Sequence, residues 1–83
     1  MFQTAINLTD TPIKEYNGWS DWTTWNCALW IGGDLGLYNE AKFSQSYGEF
    51  VATMQELGMT KTPDGATWDE ADFDEMQEMM DEL

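Results

Sequence analysis

The chain has no arginine and no histidine, and only one cysteine, two prolines and three lysines in 83 residues. Each shortage removes a class of function. Without histidine, triads that need an imidazole base are excluded, and a single cysteine leaves no zinc-ligand set of the usual Cys/His kind. The solitary Cys27 rules out an internal disulfide and makes a reducing cytoplasm the expected compartment. Three lysines cannot neutralise a run of phosphates, so direct binding to DNA or RNA is not expected. Anionic membranes are disfavoured by the same charge argument. No apolar run approaches the ~20 residues that a bilayer crossing needs. The opening segment, MFQTAINLTD, has neither the basic start nor the apolar stretch of a secretion signal.

Acid is present in excess. Sixteen Asp and Glu residues give a formal charge of −13, and they are unevenly spread. Residues 1–63 hold seven acids and three lysines, whereas residues 64–83 hold nine acids and no base. The partner expected from this is a protein with a basic surface, including the channels with which other proteins hold nucleic acid. The oligomeric state stays open, a homodimer being one option.

Tryptophan is the second excess. Four of the five fall within NGWSDWTTWNCALWIGG, residues 17–33, and no charged residue lies between Asp21 and Asp34. A chain this short sits near the lower limit for a self-sufficient core, and aromatics bring the most apolar area per residue. Ser20 or Asp21 is placed to cap a helix running to about Ile31, with Gly32-Gly33 as a left-handed exit. At 100° per residue, Trp22, Trp25, Leu29 and Trp30 share one broad face. Ala28 and Ile31 lie opposite, flanked by Thr24 and Cys27. Apolar residues on both sides predict an enclosed helix with the tryptophan face largely buried. Asn26 interrupts that face, where an unpaired amide would cost about 1–3 kcal/mol. It either bonds backbone of the N-terminal arm or the next loop, or it meets a partner or solvent.

The rest of the chain reads as helices with turns between them. Residues 1–16 form an extended arm, either a short strand or a segment packed along the helices. Asp34 caps a second helix, Leu35 to about Phe43, which Gly36 weakens. Ser46 and Glu49 have capping-box spacing before a helix with Tyr47, Phe50, Val51, Met54 and Leu57 on one stripe, ended by Gly58. KTPDG is a turn. Thr67 to Glu70 repeats the capping-box pattern ahead of a last helix, over residues 67–83, with Phe73, Met76, Met80 and Leu83 as its core stripe. Trp68 and Met79 lie beside that stripe. The fold class is therefore all-α, a bundle of three to four helices: an arm (1–16), a Trp-rich helical core (17–58) and an acidic amphipathic helix (67–83).

That last helix carries acids on the rest of its surface. Pairs such as Asp74–Glu78 and Glu78–Glu82 repel at i, i+4, and Asp81 and Glu82 oppose the helix dipole. A face selected only for solubility would mix Lys with Glu. The segment DEADFDE lacks the sixth-position glycine and twelfth-position glutamate of an EF-hand, leaving only weak, non-specific divalent-ion binding. GGDLG follows no strand and has no lysine, so it is not a phosphate loop. No constellation of catalytic groups emerges, so no enzyme activity and no cofactor are expected.

The stretch Tyr16 to Asn39 carries NGW, TWN, ALWI and LY: Asn17-Gly18-Trp19, Thr24-Trp25-Asn26, Ala28-Leu29-Trp30-Ile31 and Leu37-Tyr38. In these motifs the chain resembles a family of small proteins encoded by bacteriophages, cyanophages among them, and by some mobile elements. The match covers under a third of the sequence, but a tryptophan-rich motif is hard to meet by chance. The resemblance implies a phage origin and a host-cell cytoplasm, and it implies no mechanism.

The expectation is thus a non-enzymatic acidic accessory protein that inhibits a host nucleic-acid-binding protein. Restriction enzymes, CRISPR effectors and RNA polymerase are candidate targets. Asp69, Asp72, Glu75, Glu78, Asp81 and Glu82 would stand in for phosphates, and Trp19 or Trp68 would add an aromatic anchor. The alternatives are a small structural or assembly protein, or a regulator of a host metabolic enzyme, with the acidity serving solubility or a saline habitat.

Overall fold

Asp21 starts the first helix in the way its sequence position requires. Its backbone is extended and its carboxylate accepts the Thr24 N–H at 2.8 Å, opening α1, Trp22–Gly33. The computed structural model describes Tyr16 and residues 18–83. The expected arm lies outside these residues, except Tyr16, whose ring centroid is 6.4 Å from that of Trp25.

Asp34 then closes one helix and opens the next. Its N–H donates to the Trp30 carbonyl at 3.0 Å, and its Oδ1 accepts from Leu37 N–H at 3.0 Å. With Asp34 extended at φ −119°, α1 turns directly into α2, Leu35–Phe43. Gly32 and Gly33 are not the left-handed exit expected of them; both are helical, and the bend is made by the aspartate.

Ser46 caps α3, Tyr47–Glu56, by accepting Glu49 N–H at 3.1 Å. Glu49 reaches back to Gln45 N–H, one residue earlier than the reciprocal bond of a regular capping box. The helix ends in a Schellman motif: Met59 N–H to Met54 O at 2.9 Å and Gly58 N–H to Gln55 O at 3.1 Å. Gly58 takes the positive φ, +78°, that this motif needs. Tyr47, Phe50, Val51 and Met54 are buried as the stripe predicts, but Leu57, beyond the last turn, is exposed.

Residues 60–68 fold as a tight hairpin. Thr62 O accepts Gly65 N–H at 2.9 Å, Thr62 N–H donates to Ala66 O at 2.8 Å, and Lys61 bridges to Thr67. Pro63 presets the turn and Gly65, at φ +99°, supplies its left-handed residue. The expected capping box at Thr67 is absent: Thr67 makes no side-chain cap bond, and Trp68–Glu70 forms a single 3₁₀ turn. The last helix, α4, Phe73–Asp81, begins five residues later than a Thr67 cap implies, capped by Asp72 Oδ1, which accepts Glu75 N–H at 3.0 Å. Asp72 N–H is itself taken by Thr24 Oγ1 at 2.8 Å, which keeps residue 72 out of the helix.

The described residues are all-α in class, with four α-helices and no sheet. Helix α1 packs against α2, α4 and the 3₁₀ turn; α3 packs against α2 and α4. None of these helices is long and apolar enough to cross a membrane.

The tryptophan face of α1 is not the buried one. Trp22 is 39% exposed, Leu29 is 50% exposed, and Trp25 and Trp30 are half-buried. The inner side is Thr24, Cys27, Ala28 and Ile31, with Asn26. Small residues here let a distant aromatic come close. Trp68 is buried to 1% exposure, with its ring edge-to-face on Phe50 at 5.2 Å. Tyr47 Oη donates to the Trp68 carbonyl at 2.6 Å. Bulk comes from the 3₁₀ turn and α3, and α1 supplies the space. The Trp68 Nε1–H is buried with no acceptor among the described residues. On the last helix only Met76 is fully buried; Phe73 is exposed, and Met80 and Leu83 are half-buried.

Two outcomes follow from this packing. Trp68→Ala should lower unfolding stability by about 3–5 kcal/mol in urea, as expected for a buried large aromatic, despite its orphan donor. Trp22→Phe should remove a red-shifted, acrylamide-quenchable component of the tryptophan emission, whereas Trp68→Phe should remove a blue-shifted, shielded one. Equal quenching of both components would contradict the reversed face.

Candidate partner-binding surface

The acidic helix shows three carboxylates in one row because Met76 faces the core. With Met76 inward, Glu75, Glu78 and Glu82, at i, i+3 and i+7, fall together on one side. They line a surface hollow of about 330 Å³ with Gly18, Trp19 and Met79. Trp19 reaches it through a local turn and a tertiary bond. Its N–H donates to Tyr16 O at 2.9 Å, Gly18 adopts φ +92°, and Ser20 N–H donates to Glu75 Oε1 at 3.1 Å. Glu75 therefore fastens the Trp19 segment to α4.

The structure sorts the expected contact residues into three groups. Trp19, Glu75, Glu78 and Glu82 are brought together, with Trp19 and Glu75 half-buried and Glu78 and Glu82 exposed. Asp69, Asp72 and Asp81 are exposed but lie outside the hollow. Asp69 is in the 3₁₀ turn, Asp72 is spent as a cap, and Asp81 accepts from Gln77 Nε2 at 3.0 Å. Trp68 is a core residue and cannot anchor a partner. Gly18 and Met79 complete the hollow without having been foreseen as contacts. The signal for Met79 was its place one turn from both Glu75 and Glu82.

A second polar cluster is structural. Asn26 is buried, and among the described residues it bonds side chains of the hairpin. Its Nδ2 donates to Asp64 Oδ2 at 2.9 Å, and its Oδ1 accepts from Thr62 Oγ1 at 2.6 Å. Trp30 Nε1 donates to the same Asp64 oxygen at 2.9 Å, and Thr62 Oγ1 accepts Ala66 N–H at 3.0 Å. The amide that interrupts the tryptophan face is thus the point where α1 holds the hairpin. Donation from Asn26, and then from Trp30, keeps the Asp64 carboxyl below the usual aspartate range. Burial pushes the Cys27 thiol up to about 11, so it is neutral and a poor nucleophile. Burial likewise raises Tyr47.

Asn26→Ala should destabilise the fold by about 1–3 kcal/mol, because Thr62 and the hairpin lose their buried partner. The Asp64 contribution has a defined sign. A folded pKa below the unfolded value of about 3.9 means stability present above that value and lost as pH falls through the folded one. Asp64→Asn should therefore flatten the acid limb of a urea-midpoint against pH curve. An unchanged acid limb would remove Asp64 from the latch.

A family model described as "Family of unknown function (DUF7249)" matches residues 12–83. No curated protein and no solved structure matches significantly. The match takes in the Trp-rich helix, the hairpin latch and the acidic row together, and the chain belongs to this family of unknown function.

Proposed function

We propose that this chain is a non-enzymatic acidic accessory protein, phage-encoded as its Trp-rich motif suggests, that occupies a basic surface of a host nucleic-acid-binding protein. It acts in the host-cell cytoplasm by competing with nucleic acid, and the target is of the restriction, CRISPR-effector or polymerase type. The observation that carries this reading is the joint placement of Glu75, Glu78 and Glu82 beside Trp19. Three carboxylates on successive turns present a row of negative charge, and a half-buried indole beside them offers a face to a cation. Among the described residues, no lysine lines this hollow. Among the described lysines, Lys42 lies over the Tyr38 ring at 5.5 Å and Lys61 belongs to the hairpin.

The cost of that arrangement also supports selection for binding. Glu78 and Glu82 repel one another, and Glu82 caps the negative end of α4, where a base would be favoured. A sequence free to choose for stability would place lysine there.

The test compares two double reversals of equal charge. Glu78→Lys with Glu82→Lys should leave the fold as stable or firmer, and should abolish capture of basic proteins from a bacterial lysate. Glu56→Lys with Glu70→Lys changes exposed acids away from the hollow and should leave most capture intact. Proteins captured by the unaltered chain should be released by duplex DNA, and captured less as salt rises. Equal loss in both double variants, or capture indifferent to DNA, would contradict competition at this row.

A further inference from the structure

The acidic hollow has an apolar neighbour. Trp19 and Met79 also line a second depression of about 290 Å³, whose other walls are Trp25, Ala28 and Leu29. Two residues are thus shared, so the carboxylate row and the apolar depression adjoin across Trp19 and Met79. The apolar side extends along α1. Trp22, Trp25 and Leu29 stand at i, i+3 and i+7, on a helix with no charged residue, and Trp22 and Leu29 are exposed. Such a stripe is expensive to leave in water for a domain this small, and contiguous exposed apolar surface marks interaction sites.

Resting on the reading above, we propose that the occupant of this face is a basic amphipathic helix of the partner. One bulky apolar side chain of that helix seats between Trp25, Leu29 and Met79, while flanking Lys or Arg residues meet Glu75, Glu78 and Glu82. Charge complementarity selects this occupant. A second copy of the chain would bring another net −13 against the same row. A bare phosphate-binding groove would satisfy the carboxylates and leave the apolar depression empty. A helix offers apolar and cationic residues on adjacent faces at the spacing of one turn, which matches two depressions that share a wall. The surface is therefore two-part: the acids set the encounter and orientation, and the aromatic depression sets the residence time.

Three synthetic peptides of equal length separate the terms: a helix with Leu and Phe on one face flanked by Lys, the same peptide with its apolar residues replaced by Ser, and the same peptide with Lys replaced by Gln. Binding to the full chain would be read by fluorescence anisotropy, with sedimentation run in parallel. The first peptide should bind at least about tenfold more tightly than either control, as expected when a buried anchor is lost. Leu29→Ser should reduce it to the level of the Ser peptide, and Glu78→Gln with Glu82→Gln to that of the Gln peptide. If the Lys–Ser peptide binds equally well, the face reads charge alone: this inference falls and competition with nucleic acid survives. If neither cationic peptide binds, both fall. A chain that sediments as a dimer, and is made monomeric by Leu29→Ser, would show the face covered by a second copy and overturn the inference.

Discussion

The Asn26 amide is the joint on which this fold turns. Helix α1 carries no charge and shows its neighbours small side chains, so little on it specifies where the hairpin should sit. The amide supplies that specification by holding Asp64 and Thr62 at once. Trp30 braces the same Asp64 oxygen from one turn further along α1. From the hairpin the constraint runs onward: Trp68 N–H bonds to Thr60 O, the Trp68 ring enters the core, and Tyr47 fastens the Trp68 carbonyl. The chain then returns to α1 through Asp72 N–H and Thr24 Oγ1, which sets where α4 begins. A buried polar network specifies register where apolar packing alone would permit sliding.

The binding face depends on the same joint at second hand. In α4 so placed, Met76 faces inward and Glu75, Glu78 and Glu82 share a side. Glu75 then receives Ser20 N–H and draws Trp19 alongside. That bond and the packing of Trp19 against the core together hold the indole beside the acids. The face is thus an outcome of tertiary geometry, although every acid on it is plain in the sequence.

What was legible in the sequence was what is local. The caps Asp21, Asp34 and Ser46, and the stop at Gly58, act within four residues of themselves, so each was found at its place. Thr67 failed as a cap because a local signal met a stronger competitor. Asp72 offers the same chemistry, and its N–H finds Thr24, 48 residues away. The tryptophan face is open where an enclosed helix was expected, because apolar residues on both sides of a helix do not tell which side the rest of the chain covers. The space beside Cys27 and Ile31 is filled by Trp68 and the α3 aromatics, and no periodicity within α1 shows how distant bulk will be delivered. The row Glu75–Glu78–Glu82 was visible as acid at helical spacing, whereas the exclusion of Asp69, Asp72 and Asp81 needed the helix start and its internal bonds.

Amide hydrogen exchange in Asn26→Ala, residue by residue, addresses the role of the joint most directly. If Asn26 transmits its constraint through the hairpin to α4, the Thr62, Ala66 and Asp72 amides should lose protection together. The Val51 and Met54 amides inside α3 should keep the protection of the unaltered chain, less only the global loss of stability. Loss confined to Thr62 and Ala66, with Asp72 as protected as before, would show a latch that holds only its own hairpin and contradict the dependence of α4 upon it.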